Sequence, residues 1–241
     1  MPMLKFKIQG LINSIRIPQT AAYQNTELTP KKTHIAGMLT NIMGKDERFY
    51  YKELLPNILV GIVPATLENL FTDFWRFDKW SQNILGGKGT VKREKLYKPE
   101  YLVYIKTENK NLFNEINISL KLEKRVPSLG MDDELILIQT IKQIDETYLP
   151  SEDEADIHSI FPYENIKNYS FYKYEGRNRL IIPPRIVNTN LIFEFNEGNP
   201  PRKPKKFVNI VEFVGGFCKV YFLKEYPYNI VSDENVNIIL W

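Results

Sequence analysis

The opening of the chain alternates apolar and polar residues and then changes to a longer period. Leu4, Phe6 and Ile8 are separated by polar residues, a two-residue period that predicts a strand with one buried face. In residues 28–44, apolar side chains instead recur every three or four positions, which predicts an amphipathic helix. The stripe of this helix consists of Ile35, Met38, Leu39, Ile42 and Met43.

The residues at both ends of this helix predict where it begins and stops. Thr29 is suited to accept a bond from the first free amides as the N-cap, and Pro30 suits the first helical position. Gly44 is placed to end the helix in the left-handed conformation. Lys31 and Lys32 fall in the first turn, where free amides favour an anion, so a phosphate is a candidate ligand there.

The hydrophobic pattern continues the alternation of strands and helices. Residues 57–63, 101–105 and 135–144 are short, β-rich segments and are predicted strands, whereas residues 109–123 have helical spacing. If residues 65–96 are set aside, the order is strand, helix, strand, strand, helix, strand. This order predicts an α+β, ferredoxin-like (RRM-like) domain, whose open sheet face is a common platform for single-stranded RNA.

Residues 65–96 form a long insertion between the second and third predicted strands. Its first half, residues 65–80, is ambiguous, because the apolar spacing is helical while the aromatic density is typical of a strand. Residues 86–89 read Gly-Gly-Lys-Gly and predict a hairpin tip. They lack the full phosphate-loop frame and no clear helix follows, so the hairpin is favoured over a phosphate loop.

The last third of the chain is predicted to be a smaller β-rich subdomain. Residues 152–156 are acidic and predict a surface linker. Predicted strands follow at residues 179–182, 191–195, 208–214, 217–223 and 236–241. We therefore divide the chain into a ferredoxin-like domain, residues 1–150 with the insertion at about 65–96, and a C-terminal subdomain, residues 151–241.

Composition restricts the class of protein. Apolar residues make up 43% of the 241 residues, which is typical of a globular chain. No apolar run approaches the ~18 residues of a membrane helix, and the alternating N-terminus is unlike a signal peptide. A single cysteine, Cys218, excludes an internal disulfide and a multi-cysteine metal site. We expect a cytoplasmic protein without a cofactor, a metal or a membrane contact.

Charge is distributed unevenly around a net value of +3. Residues 79–106 hold seven basic residues against Glu94 and Glu100, a local balance of +5. Residues 132–156 are acidic instead. A charge run is often only a solvated face, but cations alternating with aromatic side chains are also what a nucleic-acid strand requires.

Three short motifs occur in a characteristic order. The first is the opening strand with the helix that contains IAGML (residues 35–39). The second is KREKL (residues 92–96), which leads into YLVYI (residues 101–105). The third is PSLG (residues 127–130), with Asp133-Glu134 after it. Together, over roughly residues 3 to 135, they resemble the RAMP-type CRISPR-associated proteins of the Cas-five group.

This resemblance implies a role as well as a fold. Members of that group cap the repeat-derived 5′ handle of the crRNA in type I Cascade complexes. It implies a non-catalytic subunit that contacts crRNA, a backbone RAMP subunit and the large subunit, and that meets target DNA through the complex. Residues 65–96 would be the thumb of the family, a β-hairpin that packs against the crRNA, so we predict a strand at residues 65–80.

The candidate RNA-binding residues combine cations for phosphates with flat side chains for bases. For the aromatic residues the alternative is a place in the core, and for the loop and helix residues it is ordinary surface charge. The predicted set is Tyr23, Gln24, Lys31, Lys32, His34, Arg76, Lys79, Trp80, Lys88, Lys92, Arg93, Lys95 and Tyr97.

Two other functions remain open from the sequence. Some relatives cut pre-crRNA with a cluster of Tyr, Lys and His, and an endoribonuclease needs a group that titrates near neutrality. Only His34 and His158 are present, and neither matches that cluster, so we predict no catalytic residue. The third possibility is a protein-only adaptor with an incidental basic face.

Overall fold

The computed structural model describes residues 2–17, 20, 23–81, 84–122, 125–149, 153–175, 180–195, 202–223 and 226–241. A π-helical turn and a 3-10 turn (Tyr50–Leu54, Leu55–Asn57) follow the second of its three helices. The elements up to residue 144 are β1 (Met3–Gly10), β2 (Ile12–Asn13), β3 (Tyr23–Gln24), α1 (Lys32–Met43), α2 (Glu47–Phe49), β4 (Leu59–Thr66), β5 (Asn69–Ser81), β6 (Ile84–Tyr97), β7 (Glu100–Lys106), α3 (Lys110–Leu122) and β8 (Ile136–Ile144).

The remaining described elements are all strands. They are β9 (Glu154–Ile157), β10 (Phe161–Pro162), β11 (Ile166–Lys173), β12 (Ile182–Phe195), β13 (Arg202–Val214), β14 (Gly216–Phe222), β15 (Asn229–Asp233) and β16 (Val236–Leu240). The prediction of a linker at residues 152–156 is therefore wrong in part, because β9 pairs with β14 there. Its Ala155 and Ile157 alternate with acidic residues, and Ile157 is fully buried.

The N-terminal part has the predicted ferredoxin-like arrangement. Its antiparallel sheet has the order β4-β7-β1-β8, with α1 following β1 and α3 following β7. Alternate residues of the strands, such as Phe6 and Val103, face the helices and share a core with Ile35 and Ile116. The α+β fold with a hairpin insertion and a smaller β-rich C-terminal part is confirmed.

Helix α1 differs from the prediction at its start. Its N-cap is Lys31, not Thr29, because the Thr29 hydroxyl bonds a carboxylate of Glu212 instead. The Nδ1 atom of His34 accepts the backbone N–H of Lys31 at 3.1 Å, which satisfies one free amide of the first turn. Gly44 ends the helix with φ 68°, as predicted.

The sheet face opposite the helices is covered, contrary to the expected open platform for RNA. Hairpin β15–β16 packs on it, so Tyr104 lies buried beside Val231 and Ile238. A Cβ added to Gly61 would lie 2.2 Å from Ile238 Cγ2, so glycine is what permits this close approach. The core also continues from the N-terminal helices into β10 and β13. The division near residue 150 stays a prediction.

The insertion is the predicted hairpin. Strands β5 and β6 pair in antiparallel register from Asn69 with Tyr97 to Ser81 with Ile84. The prediction of a hairpin tip at residues 86–89 is wrong, since the three glycines of this segment lie within β6. One of them, Gly87, has a φ of 106°. Residues 82–83, which join the strands, lie outside the described residues. Among the residues that the structure describes, no helix is long and apolar enough to cross a membrane.

Candidate nucleic-acid interface

The β5–β6 hairpin, here called the thumb, presents two different faces because side chains alternate along each strand. Cross-strand partners such as Phe74 and Lys92 share the outer face. The Lys92 ammonium lies 5.4 Å from the centroid of the Phe74 ring, which is 65% exposed. Arg76 and Lys88 are exposed further along the same face. This face offers cations and one flat ring directly to solvent.

The inner face of the thumb closes one end of a groove. Arg93, 4% exposed, lies with its guanidinium 4.2 Å from the centroid of the Trp75 ring. The same guanidinium donates to Ser14 Oγ at 3.2 Å and to Met131 Sδ at 2.9 Å. Among the described side chains, no carboxylate forms an ion pair with Arg93. Its positive charge is therefore buried against neutral partners.

Lys95, two residues further along β6, has a different environment. Its ammonium forms a buried ion pair with Glu134. Glu134 also accepts the backbone N–H groups of Ser14 at 2.7 Å and Met131 at 3.0 Å. Lys95 was predicted to contact RNA, but this pairing commits it to holding the base of the thumb against the loop at residues 128–134. The phosphate role of Lys95 is therefore corrected to a structural one.

Two hollows adjoin each other along the inner face of the thumb. The smaller, about 650 Å³, lies between the thumb and residues 14–16, and Trp75, Phe77 and Arg93 line it. The larger, about 1000 Å³, runs along α1 to strands β12 and β13. Both are lined by Arg16, His34 and Gly130, so they form one continuous groove. We call these two hollows together the groove.

The lining of the larger hollow suits nucleobases. It includes the aromatic side chains of Tyr50, Tyr51, Phe193 and Phe207, which can stack on bases. Amide and hydroxyl side chains that can read base edges lie among them: Thr33, Asn41, Ser128, Asn188 and Asn190. None of these residues belongs to the RNA-binding set predicted from the sequence. The polar ones come from separate elements, and no short motif links them.

Lys31 does not face the groove as a free cation. It is fully buried, and its ammonium lies 2.5 Å from Glu212 and 3.4 Å from Glu27. The predicted phosphate contact of Lys31 is corrected accordingly, because its charge is already neutralised inside the protein. Lys32 is also buried, and burial lowers its pKa to about 8.

The other predicted residues fall into three groups. Gln24 lines the smaller hollow beside β6, and Tyr23, which is 40% exposed, bonds the Thr72 hydroxyl at 3.0 Å. Lys79 is exposed near the outer end of the thumb, where the side chain of Trp80 lies outside the described residues. Tyr97 lies at the base of the thumb, with the Lys98 ammonium 5.1 Å from its ring centroid.

Three solved structures with a similar backbone are CRISPR proteins or chains of CRISPR complexes. A CRISPR protein from Archaeoglobus fulgidus superposes with a TM-score of 0.56 at 11% identity, covering 99% of this chain and 98% of that one. A chain of a CRISPR RNA-guided surveillance complex gives 0.53 at 12% identity, covering 92% and 91%. A chain of the Type III-B Cmr-beta complex bound to cognate target RNA and AMPPnP gives 0.51 at 12% identity, covering 89% and 86%.

The chain has the fold of CRISPR-associated proteins. No protein-family model matches the sequence, and no curated protein matches it either. The likeness extends over nearly the whole chain, including the C-terminal strands that carried no recognisable motif. The resemblance to CRISPR-associated RAMP proteins is thus confirmed at the level of the fold.

His34 is one of several titratable side chains on this groove, and it lines both hollows. Burial, with a smaller contribution from Lys31, lowers its pKa to about 4. The imidazole is therefore neutral at pH 7, and because Nδ1 accepts a bond, its proton lies on Nε2. A neutral Nε2–H is a hydrogen-bond donor in the groove, suited to a base or a ribose oxygen.

The low pKa of His34 predicts a loss of stability in acid. Below its ordinary pKa of 6.5 the unfolded chain binds a proton that the folded chain does not accept until about pH 4. Stability therefore falls as the pH drops from 6.5 to 4, by about 1–3 kcal/mol from this residue. His34→Gln keeps an acceptor for the Lys31 amide and should remove the part of the stability loss that comes from His34. Urea unfolding at pH 6.5 and at pH 4 measures this difference.

The second histidine provides a control for that measurement. His158 stacks on Phe217 at 5.4 Å, and burial lowers its pKa as well. His158→Gln should leave the contribution of His34 to the loss of stability between pH 6.5 and pH 4 unchanged. An identical pH dependence in His34→Gln and the parent protein would contradict the assigned burial of His34.

Proposed function

We propose that this protein is a non-catalytic crRNA-binding subunit of a type I CRISPR Cascade complex that caps the 5′ handle of the crRNA. The proposal rests chiefly on Arg93, whose buried guanidinium lines the groove and has no carboxylate partner among the described residues. A phosphate would supply the missing negative charge through a bidentate hydrogen bond. The fold adds support, since similar chains occur in an RNA-guided complex and a target-RNA-bound complex.

The two faces of the thumb would have separate tasks. Arg93 and Arg16 would hold phosphates of the handle inside the groove, while Trp75 and Tyr51 would stack its bases. The outer cations Arg76, Lys88 and Lys92 would follow the backbone as it leaves the groove. In this arrangement the thumb also faces the backbone RAMP subunit, and the large subunit and target DNA are met through the assembled complex.

The chemistry of His34 supports binding over cleavage. At pH 7 a histidine with a pKa of about 4 is a neutral imidazole, whose remaining N–H is too weakly acidic to protonate a leaving oxygen, so it is a poor general acid. His158 lies on the β9–β14 side of the molecule, stacked with Phe217 and Tyr174. The groove therefore contains a single imidazole in its unprotonated form.

The test is the RNA that purifies with the protein from cells that express the complex. Sequencing should return repeat-derived 5′ ends, and the backbone RAMP and large subunits should be present. The thumb variant Arg76→Ala/Lys88→Ala/Lys92→Ala should retain markedly less RNA, with a salt slope reduced by about 0.7 per lost contact to a single strand. Protein that purifies with RNA of random 5′ ends would refute the capping role.

A matched control separates phosphate contacts from general charge. Lys121, Lys167 and Lys173 are exposed on α3 and β11, away from the groove. Replacing all three by alanine removes the same charge as the thumb variant, and we call this the control triple. The control triple should retain RNA at the parental level.

His34 on the groove also favours one alternative, a metal-independent endoribonuclease that processes pre-crRNA. Incubating the purified protein with a labelled repeat hairpin in a chelating buffer distinguishes the two. Cleavage that His34→Ala abolishes would favour the nuclease over the capping subunit. A protein that binds no RNA at low salt and still assembles with its partners would instead be a protein-only adaptor.

A further inference from the structure

A second long hairpin lies across the groove from the thumb. Strands β12 and β13, of 14 and 13 residues, pair from Ile182 with Val214 to Phe195 with Arg202. Val208 and Ile210 on its inner part are buried in the core. Further out, every described residue from Lys203 to Phe207 is exposed. The outer part of this hairpin therefore projects from the body of the protein.

The projecting part carries a dense positive charge. Four of the five residues at 202–206, Arg-Lys-Pro-Lys-Lys, are basic. Glu194, opposite Lys203, is the one acidic residue in the paired register of this outer part. Lys205 and Lys206 have no ion pair with any described carboxylate. A shift of register at Ile192, opposite Lys206, bends the hairpin there.

The same hairpin lines the groove. Phe193 and Phe207 line the groove. Phe207, which directly follows Lys206 in the chain, is 50% exposed. Asn190, paired with Phe207, has an Oδ1 atom that is buried and has no hydrogen-bond partner among the described residues. A buried acceptor without a donor is destabilising, and a ligand N–H would recover that loss. The exocyclic amino group of a nucleobase is such a donor.

We propose that the outer part of the β12–β13 hairpin is a second RNA-binding wall, in which the exposed Lys203, Lys205 and Lys206 hold the phosphates of the single strand where it leaves the groove and passes over the hairpin. This inference rests on the proposed function and extends it to the opposite side of the same site. Bases would lie over Phe207 with an amino group toward Asn190 Oδ1, and the backbone would pass the lysines. An acidic protein surface could also meet the lysines, but it would not need aromatic rings and a buried amide acceptor beside them.

The inner part of the hairpin is held rigidly enough to act as a wall. Glu212 of β13 accepts from Lys31 Nζ before α1, and from Arg185 Nε of β12 at 2.8 Å. Arg185 also donates to the backbone carbonyl of Thr26 at 3.0 Å. These contacts fix β12 and β13 to the segment that leads into α1. The base of the hairpin is thus fixed before RNA arrives, which lowers the entropic cost of ordering its backbone on binding.

The experiment measures fluorescence anisotropy of a fluorescein-labelled 30-nucleotide oligoadenylate, whose bases carry the exocyclic amino group, against salt concentration. Lys203→Ala/Lys205→Ala/Lys206→Ala should weaken binding by tenfold or more at 100 mM salt, and should reduce the slope of log K against log salt by about 2. The control triple should change neither quantity beyond twofold. Lys203→Arg/Lys205→Arg/Lys206→Arg should retain parental affinity, and urea unfolding of the alanine variant should match the parent protein, which together assign the loss to positive charge and not to a folding defect.

The outcomes separate this proposal from the proposed function. If the thumb variant loses RNA while the Lys203/Lys205/Lys206 alanine variant matches the control triple, the second wall is refuted and the RNA-binding function stands. If the alanine variant keeps its RNA affinity and instead fails to assemble with partner subunits, the hairpin is a protein interface and the second wall is again refuted. If the parent protein binds no RNA at 50 mM salt, both proposals fail together.

Discussion

Glu212→Leu is expected to destabilise the protein by about 3–5 kcal/mol, because it leaves the ammonium of Lys31 buried without its main partner. Neither Lys31 nor Glu212 has any exposed side-chain surface. Glu212 also accepts from the Leu28 backbone N–H at 3.2 Å and from the Thr29 hydroxyl at 3.1 Å. One substitution therefore disconnects β13 from the whole segment before α1.

The titration behaviour of this cluster indicates which carboxylate carries the charge. Burial alone would raise the pKa of Glu212, but Lys31 and Arg185 more than offset it, and the pKa lies below its ordinary value. Burial raises the pKa of Glu27, with Glu212 adding to the rise and Lys31 opposing it. Lys31 is therefore paired chiefly with Glu212, and Glu27 is the weaker partner.

Two variants test this reading by chemical unfolding at pH 7. Glu154→Gln removes an exposed carboxylate that pairs with Lys219 at 2.7 Å, and should cost less than about 1 kcal/mol. Lys31→Met combined with Glu212→Leu removes both buried charges and should recover much of the loss of Glu212→Leu. A Glu212→Leu protein as stable as Glu154→Gln would show that the pair is not buried in solution.

Arg93 and Lys95 are expected to respond in opposite ways to the same change. Arg93→Met should lower RNA affinity by tenfold or more while changing stability by about 1 kcal/mol or less, since it removes a buried charge without orphaning another. Lys95→Met should cost about 3–5 kcal/mol of stability, because Glu134 stays buried without its cation. Anisotropy with the oligoadenylate probe and urea unfolding measure the two quantities.

These two positions provide a control for each other, because both lie on the inner face of β6 and receive the same substitution. Arg93→Lys should retain only part of the RNA affinity, since an ammonium cannot form the two parallel hydrogen bonds of a guanidinium. An Arg93→Met protein that unfolds like Lys95→Met and keeps its RNA affinity would reassign Arg93 to the structural network.

The fold could be predicted where local pattern and chain order agree. The two-residue period of β1 and the three-to-four residue period of α1 are properties of adjacent side chains, so they can be identified without tertiary contacts. The thumb is different, because its helical spacing was misleading and the family resemblance predicted the strand. Its stability as a strand comes from pairing with β6 and from ring contacts such as Arg93 on Trp75.

The site could be predicted only where a residue lacks a distant partner. Nothing in the sequence near Lys31 indicates Glu212, which lies 181 positions away, and Lys95 meets Glu134 from 39 positions away. Both lysines therefore resembled surface cations. The basic run at residues 202–206 had a detectable signal, a concentration of lysines between two predicted strands. Its single proline, Pro204, and its charges argued against the strand that continues through it.

Hairpin β15–β16 occupies the face of the sheet that an RRM would use for RNA. The four-stranded frame therefore touches no ligand in the proposed assembly, and recognition is delegated to two appendages that emerge from it. Substitutions in either appendage can alter which strand is held without disturbing the fold beneath. In the proposed assembly, such a division would let the RNA-binding surface change while the scaffold keeps the architecture that it shares with a chain of 11% identity.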